Sequence, residues 1–122
     1  MRARGFTLVE LLVVLLLVAL LASLVTPVVM QSISRAKEST LKEDLFVMRK
    51  AIDDYYADKG GYPDDLDTLA TERYIRRVPV DPITEARDWV LVQSDDPEQT
   101  GIVDVNSAAD ARASDGSRYN EW

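Results

Sequence analysis

The chain has 122 residues, 14 Lys and Arg against 21 Asp and Glu, and neither histidine nor cysteine, for a formal net charge of −7. Without those two residue types the Ser-His-Asp and Cys-His nucleophilic arrangements, the usual zinc sites and every disulfide are excluded. The acidic balance disfavours nucleic acid, which is bound through Lys and Arg clusters, and its simpler consequence is solubility.

The chain opens on a short basic leader, Met1-Arg2-Ala3-Arg4-Gly5, that runs into Phe6-Thr7-Leu8-Val9-Glu10. From Leu11 to Ser34 there is no charged residue, a length sufficient for one helix to cross the hydrocarbon core. Arg2 and Arg4 precede the span and the next base is Arg35, so the positive-inside bias holds the leader in the cytoplasm and sends residues from about 31 onward across the membrane. Ala22-Ser23 offers a weak signal-peptidase site, but the uncharged run continues past it, and retention is expected rather than removal. Glu10 stands at the edge of this run. A charged side chain costs about 2.5–3.5 kcal/mol at mid-span and less near an end. Two readings are open: Glu10 is solvated among the headgroups, or it is paired. A cut between Gly5 and Phe6 would create an amine one helical turn from Glu10, and the two charges would neutralise each other within a subunit or between neighbours. Pro27 removes a backbone hydrogen bond and is expected to strain the preceding turn.

Ser32 to about Lys59 reads as a continuation of the same helix. Leu41, Leu45, Met48, Ile52 and Tyr55 recur at steps of four and three and form one apolar stripe, which reads as a packing face for the rest of the chain. Gly60-Gly61-Tyr62-Pro63 ends the helix. Asp64 or Asp65 then caps a short helix carrying Leu66 and Leu69, and caps or solvated charges are the better reading of these adjacent acids than an acid–base pair. Val78-Pro79-Val80-Asp81-Pro82 is an extended crossing, because each residue before a proline is pushed out of helical geometry. Trp89-Val90-Leu91-Val92 and Ile102-Val103-Asp104-Val105 read as strands of an antiparallel hairpin joined by the polar loop Ser94–Gly101, with its apolar side on the helix stripe. The expected fold class is α+β: a long N-terminal α-helix, half transmembrane and half amphipathic, packed on a small antiparallel sheet. A core this small is marginal, and the long helix, a bound metal or neighbouring subunits would have to support it. In the last segment, Ser107, Asp110 and Asp115 present hard oxygen ligands. They read either as part of a calcium site that fixes the tail or as solvated turns. Asp115-Gly116 would turn the chain back so that Tyr119 and Trp122 close the domain. No glycine-rich phosphate loop occurs, and no enzyme is expected.

Gly5-Phe6-Thr7-Leu8-Val9-Glu10 followed by an apolar helix resembles the class III signal of type IV pilins and type II secretion pseudopilins. Tyr62-Pro63 after the long helix, the P-x-D-P at Pro79–Pro82 followed by Trp89, and the terminal Trp122 resemble most nearly the major pseudopilin of type II secretion. The resemblance implies a pilin-like fold with a leader at 1–5, a transmembrane and polymerisation helix at 6–30, and a periplasmic domain at 31–122, of which 31–59 is amphipathic helix and 60–122 loop and β region. It implies a prepilin peptidase that cuts between Gly5 and Phe6 and methylates the Phe6 amine, and pairing of Glu10 with the Phe6 amine of an adjacent subunit. It further implies a single-pass protein of the bacterial inner membrane, lodged in lipid before assembly. There it would join a homo-oligomeric filament with minor pseudopilins, on an assembly platform served by a separate ATPase, and push folded exoproteins across the outer membrane. The tail resembles the family's calcium loop, with Ser107, Asp110 and Asp115 as ligands. The loop is shorter, Ala111 stands where glycine is expected, and the second acidic cluster is reduced to Asp115 with Glu121. The alternatives are a type IV pilin or competence pseudopilin serving motility, adhesion or DNA uptake, and a monomeric membrane-anchored binding domain.

Overall fold

The computed structural model describes residues 4–122, so the expected leader lies partly outside the described residues, Arg2 included. Helix α1 runs over Leu8–Lys59, 52 residues, and the assignment is continuous through Pro27. The short helix α2 (Leu66–Thr71), strands β1 (Val90–Gln93) and β2 (Ile102–Asn106), and a 3₁₀ turn at Tyr119–Glu121 follow. The residues divide into two units, one up to Ser34 and the other Arg35–Trp122.

In the first unit every described residue is exposed, and the apolar window of α1 buries none of its side chains within the chain. It is the one helix among the described residues long and apolar enough to cross a membrane. Three hydroxyls along it bond to their own backbone. Ser23 donates to the Leu20 carbonyl at 2.7 Å, Thr26 to Ala22 at 2.9 Å and Ser32 to Val28 at 3.0 Å. A helix in hydrocarbon has no other way to satisfy such groups.

The second unit is organised by the stripe on α1. Leu41, Leu45, Met48 and Ile52 are buried as their spacing predicts, Ala51 joins them, and Tyr55 packs at the margin. Leu66 and Leu69 of α2, Ile75, Val78, Trp89, Ile102, Val105, Ala109, Ala113 and Tyr119 complete one cluster around that face. Helix α1 stops at Gly60, whose φ of +72° takes the left-handed form that a helix C-terminus favours. The cap of α2 is Asp65, which accepts the Thr68 N–H at 2.7 Å.

The hairpin departs from the expected packing. Strands β1 and β2 are antiparallel, pairing Val90 with Asn106, Leu91 with Val105, Val92 with Asp104 and Gln93 with Ile102, with an irregularity between Val92 and Gln93. All four residues of β1 are exposed, whereas Ile102 and Val105 of β2 are fully buried. Residues three apart would point to opposite faces of a regular strand. The irregularity inserts one extra residue and brings both onto the core. Trp89 is buried just before β1 rather than within it, and its indole N–H donates to the Pro79 carbonyl at 2.8 Å.

The Tyr62-Pro63 element also acquires a role here. The buried Pro63 offers its carbonyl to the Ile102 N–H at 2.8 Å, and a Cβ on Gly101 (φ +128°) would lie 2.8 Å from the Pro63 and Tyr62 carbonyl oxygens. Only glycine fits where the hairpin meets the end of the long helix.

Because β2 alone supplies the hairpin's share of the core, Ile52→Ala should lower the unfolding free energy by about 2–5 kcal/mol. Leu91→Ala on β1 should change it by about 0.5 kcal/mol or less. Denaturant unfolding of the full chain in detergent, followed by tryptophan fluorescence, reads both. Equal losses at the two positions would refute this assignment of the core.

Candidate functional site

Two regions hold the residues to which the sequence analysis gave roles. At the N-terminal end, Gly5, Phe6 and Thr7 precede the first turn of α1, and Phe6 is 87% exposed. No heavy atom stands within 4 Å of a Cβ built on Gly5. Thr7 caps α1: its hydroxyl oxygen accepts the Glu10 N–H at 3.1 Å, and its carbonyl accepts the Leu11 N–H at 3.1 Å. Thr7 and Glu10 have the spacing of a capping box, a signal the sequence carried.

Glu10 sits in the first turn of α1, where the helix dipole favours a negative charge. Its neighbours Leu8, Val9, Leu11 and Leu12 are all exposed apolar side chains, and among the described residues it has no ion pair. Phe6 and Glu10 are four positions apart, with Phe6 before the helix and Glu10 in its first turn.

The C-terminal loop places its three expected ligands with separate partners. Ser107 is fully buried; its hydroxyl donates to Asp81 Oδ2 and accepts the Ala109 N–H at 3.1 Å. Asp110 is exposed and its Oδ1 accepts from Arg118 Nη1 at 2.7 Å and from Asn120 Nδ2 at 3.4 Å. Asp115 Oδ1 accepts the Ser117 N–H at 2.9 Å and the Ser117 hydroxyl at 2.5 Å, which hold its carboxyl below the usual range. No group of three or more acidic side chains gathers among the described residues. The donor set does not fit calcium, which needs six to eight convergent oxygens.

What fastens this loop is a residue to which the sequence analysis gave no role. Glu38, on α1, is buried; it accepts the Ser114 N–H at 2.7 Å, the Ser114 hydroxyl at 2.6 Å and the Tyr119 hydroxyl at 2.9 Å. The two Ser114 bonds lead the effects that hold its carboxyl below the usual range. Burial and the bond to Glu38 push the Tyr119 hydroxyl up, so Tyr119 remains a donor. The signal was present: Glu38 lies three residues before Leu41 and seven before Leu45, an acid on the apolar stripe itself.

Two further anchors cross long distances in sequence. Asp81 is fully buried and, besides Ser107, accepts the N–H groups of Ile83 at 2.8 Å and Thr84 at 3.3 Å. Arg49 of α1 reaches Asp104 at 2.7 Å, the Val105 carbonyl at 3.0 Å, Asn106 Oδ1 at 3.1 Å and the Trp122 carbonyl at 2.5 Å. Lys42 lies 4.7 Å from the centre of the Trp122 ring.

Comparison with known proteins bears on both regions. Residues 1–26 match the family described as the prokaryotic N-terminal methylation motif. The chain is 33% identical over 123 residues to the type II secretion system core protein G of Escherichia coli strain K12, covering 88% of this chain and 81% of that protein. It is 34% identical over 122 residues to the protein of the same name in Klebsiella pneumoniae, with 87% and 84% covered. For that of Pectobacterium carotovorum the values are again 34% over 122 residues, with 87% and 75% covered. No solved structure gives a significant match.

Because the folded state depresses the Glu38 pKa, its stabilisation is complete above the ordinary value of about 4.5 and is lost as the pH falls through the folded value. Glu38→Gln should therefore melt lower than the parent chain at pH 7, and the gap should close as the pH is taken below 4. Melting curves of both chains across that range read the difference. A gap that stays constant with pH would rule out an ionised Glu38 as the anchor.

Proposed function

The chain belongs to the family of type II secretion system core protein G, the major pseudopilins, and from that membership we propose how its two ends serve a secretion pseudopilus. It is a membrane-anchored structural subunit of the pilin-like class. In the proposed reading, residues 1–5 are a leader that a prepilin peptidase removes on the cytoplasmic side, with methylation of the Phe6 amine. Residues 6–30 are the membrane and polymerisation helix, and residues 31–122 the domain on the periplasmic face of the inner membrane. The observation that carries this reading is the 33% identity across 81% of the Escherichia coli relative.

Assembly turns on Glu10. Before assembly the apolar helix rests in lipid, and an acid at its edge is tolerable near the headgroups. As the helix leaves lipid for a bundle of identical helices, that solvation is lost and the carboxylate needs a cation within hydrogen-bonding reach. The Phe6 amine of an adjacent subunit supplies it, and methylation keeps the positive charge. A subunit that enters out of register leaves one charge unpaired in an apolar surround, so the pair sets register as well as attraction. Such a head-to-tail contact is heterologous, and with a rotation that does not close it extends into a filament. Growth of the filament on an inner-membrane platform, with minor pseudopilins and with energy from a separate ATPase, would push folded exoproteins outward. The matched relatives all carry the secretion-system name, and nothing in the chain favours the type IV pilin or isolated binding-domain alternatives.

Two outcomes are expected. Intact-mass and N-terminal analysis of the chain recovered from membranes containing the peptidase should find N-methylated Phe6 as the first residue, and a chain still beginning at Met1 would refute the processing step. Glu10→Ala should leave membrane insertion intact while reducing filaments, counted by electron microscopy of gently lysed cell envelopes, at least tenfold. Wild-type numbers from that variant would sink the pairing argument.

A further inference from the structure

A calcium loop works by convergence: several carboxylates share one centre, and their mutual repulsion is relieved only when the ion arrives. The loop from Ser107 to Trp122 is built differently. Its backbone closes on itself through an antiparallel bridge between Arg112 and Arg118, the Ala113 N–H on the Ser117 carbonyl at 2.7 Å, and the Tyr119 N–H on the Ala111 carbonyl at 3.2 Å. The Gly116 N–H meets the Ala113 carbonyl at 3.0 Å, and the Gly116 carbonyl accepts from Arg112 Nη1 at 3.2 Å. Across the mouth of the loop, Arg118 reaches back eight residues to Asp110. Helix α1 holds the tip at Ser114 through Glu38, and the Trp122 indole N–H meets the Ser117 hydroxyl at 2.7 Å.

Asp110 and Asp115 thus each have their own donors, and Ser107 is committed to Asp81 in the core. A dication bound by all three side chains would have to share Asp110 with the Arg118 guanidinium, share Asp115 with its Ser117 donors and draw the Ser107 hydroxyl off Asp81. It would do so beside two positive side chains, Arg112 and Arg118. We propose that the Arg118 guanidinium, bound to Asp110, does the work of the divalent cation in this chain, so that the C-terminal loop is set without calcium. The inference goes beyond the assembly reading and does not depend on it, since it concerns the folding of the domain and not the pairing of helices.

The test uses the full chain in detergent micelles, with thermal unfolding followed by the near-ultraviolet circular dichroism of its tryptophans, one of which, Trp122, lies in the loop. The midpoint should be the same in millimolar calcium and in millimolar EDTA, and Arg118→Gln should lower it by about 2–5 °C in both. A wild-type midpoint that rises by several degrees on adding calcium, the mass-action signature of a ligand that binds only the folded state, would overturn the proposal. Calcium retained at one ion per chain in equilibrium dialysis would do the same. An Arg118→Gln chain that melts with the parent would show that the guanidinium does not close the loop. Should that variant fail to fold, the calcium and EDTA comparison on the wild type still decides.

Discussion

The second unit rests on a single constraint, the apolar face that α1 offers between residues 41 and 52. A two-stranded sheet is marginal by itself, and here only β2 turns its side chains inward. The remaining segments are a six-residue helix and loops. None of these could bury enough surface alone, and each instead places one to three apolar side chains against the same face. The chain has no cysteine with which to staple such a domain. The rigid helix takes over that role, since it is already formed by local hydrogen bonds and adds an ordered wall at little further entropic cost.

Apolar contact with one helix face leaves the loops free to slide, and three charged side chains remove that freedom. Arg49 fixes the end of β2 and the last residue, Asp81 fixes the proline-rich crossing to Ser107, and Glu38 fixes the C-terminal loop. These bonds join residues 26 to 81 positions apart. Burying a charge costs several kcal/mol unless its oxygens or protons are matched. Glu38 and Asp81 each accept three or more hydrogen bonds, and no buried side-chain polar atom among the described residues lacks a partner. Directional bonds of this kind select one arrangement of the loops where packing alone would admit several.

The first unit follows a different logic. Its surface is apolar on every side, so it has no inner face of its own and must be covered by lipid or by other copies of itself. The one carboxylate in such a surface, Glu10, is the group that the proposed assembly uses to discriminate between the two coverings. In the proposed assembly, lipid headgroups would solvate Glu10 without fixing its position, whereas a neighbouring amine would fix both position and register. The same helix supplies the folding platform of the second unit and, in the proposed assembly, the signal at Glu10.

The sequence by itself determined the features that depend on local spacing: the charge-free run after Glu10, the stripe Leu41-Leu45-Met48-Ile52, the stop at Gly60, the cap at Asp64 or Asp65, and a hairpin of about the right span. Each is written in residues close together in the chain. Only the tertiary structure decided that β1 would stay exposed, because that depends on one inserted residue in the strand pairing that no alternation pattern reveals. Only the tertiary structure gave Glu38 to Ser114 and Tyr119, and Asp110 to Arg118. From spacing alone, an acid in a polar loop looks the same whether it faces water, a metal or an arginine. Which of them it meets is fixed by where the chain returns in space, and that return is set by the summed packing of distant segments on α1.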